Sequence, residues 1–291
     1  MSWQARLSLA WRSEPWPGEG GDTRRTVLHD RHQGPLRVLA SLYPEGPNVC
    51  HNVLVHPPGG VVGGDGLHVD AALADGAHAL VTTPGATRFY RSAGALAEQT
   101  LDARLGRGAR LEWLPLETIV HAGARAESRL RFALGAGAEM IGWDVLALGL
   151  PASGQPFDGG DGAPAPGRYT QHIELPGVWL ERGTVDAGDR RLLDSPLGWA
   201  GRRVLATLWF ASGTPLVDGR RDALLRTARD AAAAHPLAAS AGASSPHAEA
   251  VVLRVLAHRV EPAMALLQTV RAHWRAEAWS LAACAPRVWR T

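Results

Sequence analysis

The chain has 291 residues, 46% of them hydrophobic and 20% charged, which is an ordinary balance for a folded globular protein. Its formal net charge of +2 gives no electrostatic reason to expect a nucleic-acid partner. All 30 basic residues are arginine, and the absence of lysine excludes Schiff-base chemistry and the phosphate-binding loop that depends on lysine.

Most of the sequence consists of short apolar runs separated by glycine and proline, the pattern of β-strands joined by turns. The predicted strands are 36–43, 50–56, 67–73, 78–83, 99–105, 110–113, 125–134, 140–148, 169–175, 204–210 and 251–256. In 125–134, small and apolar residues alternate with charged ones, as in a strand with one buried face. So many short strands without helices between them predict a mainly β architecture.

Two segments predict helices. Residues 220–234 are rich in alanine and leucine and stop before Pro236. A C-terminal helix is predicted for 261–283, with Pro262 in its first turn and an apolar stripe that should pack on the strands. Residues 151–168, dense in glycine and proline, and 240–247 are predicted loops, and His29 and His32 are also assigned to a loop. We expect one continuous domain over 1–291.

The N-terminal residues lack the basic and apolar regions of a signal peptide. No window approaches the ~18 apolar residues of a membrane span. Two cysteines, Cys50 and Cys284, do not make a disulfide framework. These features predict a cytoplasmic protein that does not enter the membrane.

A glycine-rich segment, His-Pro-Pro-Gly-Gly-Val-Val-Gly-Gly-Asp at 56–65, is the most distinctive part of the chain. It is not a phosphate-binding loop, because the required lysine is missing. It predicts a turn system, and Pro84-Gly85 predicts a second turn. The residues assigned to these turns are Pro57, Pro58, Gly59, Gly60, Gly63, Gly64, Pro84 and Gly85.

Polar residues near these turns are candidates for function. Asp65 either faces a partner or a polar channel, or simply bonds its own backbone. Arg88, Tyr90 and Arg91 are residue types enriched in interface hot spots, although a solvated strand end would look the same. Glu117 lies in a short acidic turn, and a hydrolase using Asp65 and Glu117 as acid and base is an alternative hypothesis.

Cys50, His51 and His56 offer soft sulfur and imidazole ligands within seven residues, a donor set that suits nickel or zinc. Neighbouring residues of a regular strand face opposite sides, so these three are weak candidates for one metal site. A nickel-storage protein that uses these three residues is a further alternative hypothesis. The sequence contains no known catalytic motif, which favours a binding or scaffolding protein.

Several motifs occur together in the order found in one known family. They are Tyr43-Pro44-Glu45-Gly46, Cys50-His51, the 56–65 segment, Thr82-Thr83-Pro84-Gly85-Ala86, Tyr90-Arg91-Ser92, Leu111-Glu112-Trp113-Leu114-Pro115, Leu193-Asp194-Ser195-Pro196, Arg259-Val260-Glu261-Pro262 and Pro286-Arg287-Val288-Trp289. With these motifs the chain resembles the UreD (UreH) family of urease accessory proteins over its whole length.

This resemblance implies a superhelix-like stack of short strands with a small helical part near the C-terminus. It also implies a non-catalytic role in urease maturation, with UreF, UreG and the urease apoprotein as partners. The resemblance implies that nickel passes through the interior, with no tightly bound cofactor, and that GTP hydrolysis belongs to UreG. It allows a dimer within the activation complex. On this basis we expect Asp65→Ala to impair urease activation more than folding.

Overall fold

The structure, a computed structural model, describes residues 2–16, 23–159 and 167–290. The strands of this part of the chain are β1 (Gln4–Pro15), β2 (Arg24–Gln33), β3 (Arg37–Leu42), β4 (Val49–Val55), β5 (Gly66–Leu73), β6 (His78–Thr82), β7 (Thr87–Phe89), β8 (Ala97–Leu105), β9 (Arg110–Leu114), β10 (Thr118–Val120), β11 (Arg125–Leu134), β12 (Glu139–Leu150), β13 (Gln155–Pro156), β14 (Arg168–Leu175), β15 (Trp179–Asp186), β16 (Val204–Ser212), β17 (Ala241–His247) and β18 (Ala250–Ala257). The helices are α1 (Arg190–Asp194), α2 (Asp218–Ala233) and α3 (Val260–Trp279).

The chain coils as it advances, and this coiling places successive strands on alternate sheets. The first sheet has the order β15-β14-β11-β8-β5-β1-β2, and the second has the order β17-β18-β16-β12-β9-β6-β4-β3. Neighbours from β5 to β14 in the first sheet and from β4 to β12 in the second are parallel. The result is a β-solenoid-like stack of about 3 turns, so the predicted mainly β, superhelix-like fold is confirmed.

A short third side closes each turn of the stack. It begins with a parallel bridge between Val61 and Phe89, continues through β7 and β10, and ends on the second half of β12. Val61, Phe89, Val120 and Leu148 therefore lie at one level, and each is at most 1% exposed. Backbone pairing sets the spacing of the turns, and burial of these stacked apolar side chains stabilises the stack.

The predicted elements agree with the structure except at particular segments. Residues 240–247, predicted as a loop, contain β17, whose register breaks between Ser244 and His247. His29 and His32 lie in β2, not in a loop. Helix α3 ends at Trp279, short of the predicted 283, because Ser280 takes a left-handed conformation with φ of 54°. In the predicted loop 151–168, residues 160–166 lie outside the described residues, and β13 occupies part of the remainder.

Two apolar cores lie on opposite faces of the second sheet. The inner core fills the space between the two sheets and includes Trp11, Phe132 and Trp209. The outer core lies between the second sheet and helices α2 and α3, and it includes Trp143 and Trp274. Helix α3 therefore packs on the strands, as its apolar stripe predicts. No helix of the described chain combines the length and apolar character needed to cross a membrane.

A buried ionic cluster fastens α3 to the strands. Glu112 on β9 is completely buried, with Arg271 Nε 2.6 Å from Oε2 and Arg275 Nη1 3.1 Å from Oε1. Burial by itself would raise the pKa of Glu112, but the charges of Arg271 and Arg275 and the contact with His78 lower it to about 2. Arg275 also pairs with Glu45. The Glu112 carboxylate is thus ionised inside the protein and pairs with two guanidinium groups of helix α3.

We predict that Glu112→Gln lowers the free energy of unfolding by about 3–5 kcal/mol, because it leaves buried guanidinium groups without their shared counter-charge. Urea unfolding followed by circular dichroism measures the change. Asp75→Asn is the control, since its partner Arg107 is 79% exposed and such surface pairs contribute at most about 1 kcal/mol. Equal losses in the two variants would contradict a special role for the buried cluster.

Candidate functional site

The glycine-rich turn and the second turn meet at one place, the mouth of a cavity between the two sheets. The cavity has a volume of about 230 Å³ and is mostly apolar. Its rim includes Gly59 and Gly60 from the first turn, Pro84 and Gly85 from the second, and Arg88 of β7. Segments separated by more than 20 residues in sequence therefore form one opening, because β4 and β6 are parallel neighbours in the second sheet.

Glycine is required at two positions of the glycine-rich segment for different reasons. Gly64 has φ of +96°, a conformation that other residues rarely adopt. Gly60 lies under the ring of Tyr90, where a Cβ atom would be only 2.0 Å from Cε2. These positions agree with a structural role for the turn glycines. Pro57 and Pro58 lie in the same reversal, which is closed by a 2.9 Å hydrogen bond from Gly59 N to the carbonyl of His56.

Asp65 is 2% exposed, and its carboxylate accepts hydrogen bonds from backbone N–H groups. Its Oδ1 accepts a hydrogen bond of 2.7 Å from Trp3 N, and its Oδ2 accepts one of 3.0 Å from Val62 N. Asp65 thus joins the glycine-rich turn to the start of β1. It is not among the residues that line the cavity, so its geometry matches the backbone-bonding alternative.

Arg88, Tyr90 and Arg91 are all exposed, while Phe89 between them is buried. Tyr90 packs against His121 with ring centroids 4.9 Å apart. Glu117 is half-buried, and its carbonyl accepts a hydrogen bond of 2.9 Å from Thr87 N. The arginines and the tyrosine form a surface patch beside the mouth, which fits both a partner contact and a solvated strand end.

The structure does not bring Cys50, His51 and His56 to one point. Cys50 is buried in the inner core, whereas His51 faces the other side of β4 and bonds Glu45 at 2.7 Å. His56 lines the cavity. Burial lowers the pKa of His56, against the opposing charge of Asp65, so its imidazole is neutral and its buried Nε2 has no hydrogen-bond partner among the described residues.

A row of polar side chains, which the sequence analysis did not identify, crosses the inner core. Gln99, which lines the cavity, is the register partner of Ser128, and Ser128 is the partner of Gln171. The Gln171 amide donates a 2.5 Å hydrogen bond to Asp144 on the opposite sheet. Thr207 is the register partner of Asp144. We call Gln99, Ser128, Gln171, Asp144 and Thr207 the interior polar row.

Oxygen atoms in and beside this row could contact a bound ion or ligand. Thr207 Oγ1 is buried and has no hydrogen-bond partner among the described residues. Tyr169 Oη is buried beside Ser128. Burial raises the pKa of Asp144, and the carboxylate of Glu181 adds to the effect, while the Gln171 hydrogen bond opposes it. Unpartnered buried oxygens are costly, and native proteins rarely keep them without a use.

The far end of the row reaches the surface at an ion pair. Arg254, the register partner of Thr207, donates from Nε to Glu181 Oε2 over 2.8 Å. The Glu181 side chain is 18% exposed and that of Arg254 43%. The polar row thus extends from the cavity at the mouth to the opposite edge of the stack. Period-2 alternation in 125–134 places Ser128 on the inward face with the apolar residues, as the structure has it. Asp144 lies inside a continuous apolar run that carries no such signal.

Fold and site together define a β-solenoid with a polar row through its core. Residues 4–290 match the family described as UreD urease accessory protein. The chain is 60% identical over 291 residues, the whole of both chains, to the urease accessory protein UreD of Leptothrix cholodnii. It is equally 60% identical over the full length of both chains to that of Variovorax paradoxus, and 56% identical to that of Methylibium petroleiphilum. The chain therefore belongs to the UreD family of urease accessory proteins.

We predict that Asp65→Ala lowers the free energy of unfolding by about 3 kcal/mol, because two backbone N–H groups lose a charged acceptor. This reverses the expectation that the substitution affects function more than folding. Thermal and urea unfolding measure it. Asp70→Ala, at an exposed position of β5, is the matched control and should change stability by less than about 0.5 kcal/mol. A variant at position 65 as stable as the control would refute the structural role.

Proposed function

We propose that this protein is a scaffold of the urease activation complex that binds apo-urease, UreF and UreG and passes nickel through its interior. Family membership supports the general role of a urease accessory protein. The observation that supports the conduit is the interior polar row, which runs through a core that is mainly apolar.

The chemistry of the row suits an ion in transit. Carboxylate, hydroxyl and amide oxygens bind a divalent transition ion more weakly than a closed set of thiolates and imidazoles would. Weak, spaced contacts let an ion enter and leave, as conduction requires. Adjacent strands lie about 4.8 Å apart, so Gln99, Ser128 and Gln171 offer polar groups at roughly that interval. The cargo is bound through oxygen and released without breaking strong bonds.

Asp144 is the residue on which this proposal depends most. Burial and the nearby Glu181 carboxylate both favour its protonated form, as the raised pKa of Asp144 shows. An arriving dication favours the ionised form and displaces the proton. Exchange of a proton for a metal ion at Asp144 would let the core hold the ion without leaving an unpaired buried charge afterwards.

The mouth is the proposed docking end. Arg88, Tyr90 and Arg91 are exposed at its rim, and arginine and tyrosine contribute strongly to protein interfaces. A partner seated there would cover the cavity and the start of the polar row. The nucleotide chemistry is assigned to UreG, which agrees with the lack of lysine in this chain.

The two alternative functions have less support. A hydrolase would need Asp65 as an acid or base, but both Asp65 oxygens accept backbone hydrogen bonds. A storage protein built on Cys50, His51 and His56 would need these residues to converge, and Cys50 and His51 lie on opposite faces of β4.

Co-purification tests the assembly. The full-length chain, expressed with UreF, UreG and the urease subunits, should be recovered in a complex with both UreF and urease. A folded sample that associates with neither would refute the scaffold. A complex that forms and yet matures urease equally well when the polar row is altered would refute the conduit alone.

We predict that Asp144→Asn reduces nickel-dependent urease activation about tenfold while complex formation and stability stay close to wild type, because asparagine preserves volume but cannot exchange a proton for an ion. Urease activity and bound nickel per urease, measured after activation, report the effect. Asp102→Asn is the matched control, since Asp102 lies on the outward face of β8 with Arg131 3.4 Å away. Full activation with Asp144→Asn would contradict the proposed role of Asp144.

A further inference from the structure

A second group of potential ligands lies on the outer face of β4, away from the interior polar row. Glu45 follows β3, His51 is on β4, and Cys284 belongs to the tail after α3. One ligand atom from each of these residues lies within 4.8 Å of the other two. This is the one such group of three or more found among the residues the structure describes.

From this convergence we propose that Glu45, His51 and Cys284 bind a divalent transition-metal ion. Carboxylate oxygen, imidazole nitrogen and thiolate sulfur together suit a borderline cation such as nickel, cobalt or zinc. Ligand atoms around a four-coordinate ion of this class lie roughly 3–4 Å apart. The observed separations need only small side-chain movements to reach that arrangement.

The ligands are held by the surrounding structure. His51 is 3% exposed, and its Nε2 lies 2.7 Å from Glu45 Oε1. The tail that carries Cys284 is fixed by a 3.1 Å hydrogen bond from Arg271 Nη1 to the Cys284 carbonyl. Farther along, Trp289 Nε1 donates to Thr82 Oγ1 over 2.8 Å. The Cys284 sulfur is not used in a hydrogen bond within the described chain and is only half-buried, so the site has a path from solvent.

The charges around the group limit how tightly it can hold an ion. Glu45 and Glu112 are balanced by Arg271 and Arg275, and Arg275 contacts both carboxylates. An ion at Glu45 must share that carboxylate with Arg275, which keeps its second partner Glu112. A dication adds two positive charges, and the Cys284 thiolate offsets only one of them. The site is therefore suited to an exchangeable ion and not to permanent storage.

This site is distinct from the proposed interior route, and either could exist without the other. Cys284 and His51 belong to the outer face of the second sheet, whereas Asp144 lies in the inner core between the sheets. Nickel that binds here would be held at the junction of β4, α3 and the C-terminal tail. The proposed occupant is the free metal ion.

Metal titration of the reduced full-length protein tests the proposal. Equilibrium dialysis measures nickel binding, and cobalt serves as a spectroscopic probe because a bound thiolate gives a charge-transfer absorption. We expect wild type to show this absorption. Cys284→Ser should abolish it and weaken binding at the site about tenfold or more. His51→Gln should weaken binding similarly.

Cys50→Ser is the matched control, because Cys50 is the other cysteine of the chain and lies in the inner core. It should retain both the absorption and the affinity. The proposal is overturned if wild type shows no thiolate absorption, if Cys284→Ser retains it, or if Cys50→Ser loses it. Circular dichroism of each variant separates loss of binding from loss of fold, and urease activation separately tests the interior route.

Discussion

The in-register parallel pairing of successive turns is the constraint on which the rest of the structure depends. Each new strand lies beside the equivalent strand of the preceding turn, so side chains at equivalent positions stack in layers. A slip of one residue would exchange inward and outward faces along a whole strand. The same register that aligns Val61, Phe89 and Val120 in an apolar layer also aligns Gln99, Ser128 and Gln171 in a polar one.

Two buried carboxylates show how differently the two faces of one sheet can be used. Glu112 faces the helices and is ionised between two guanidinium groups, which lower its pKa to about 2. Asp144 faces the solenoid interior, is paired with no cation among the described residues, and has a raised pKa. The first carboxylate anchors α3 by electrostatic pairing, and the second is left able to exchange its proton. The distinction depends only on which way the strand directs each side chain and on what packs there.

The predicted strands are present in the structure because their apolar runs are short and bounded by turn residues. Prediction was wrong at β17, whose small polar residues resemble a loop but pair with β18, and at the end of α3, where Ser280 rather than a proline or glycine terminates the helix. At the site, the two turns could each be anticipated from their glycine and proline content, but their meeting at one mouth depends on the parallel pairing of β4 and β6. The bonding of Asp65 could not be anticipated in full. One N–H that donates to its carboxylate belongs to the nearby Val62, but the other belongs to Trp3, which is 62 residues away in sequence.

By itself, the sequence determined the strand-rich character of the chain, the family motifs and the absence of lysine-dependent phosphate chemistry, since these follow from composition and local spacing. Only the tertiary structure decided which polar residues meet. Gln171 reaches Asp144 across the two sheets, and Cys284 reaches Glu45 and His51 from the far end of the chain. Such meetings depend on how the solenoid turns stack and where α3 docks, and those long-range contacts leave no periodic signal in any one segment.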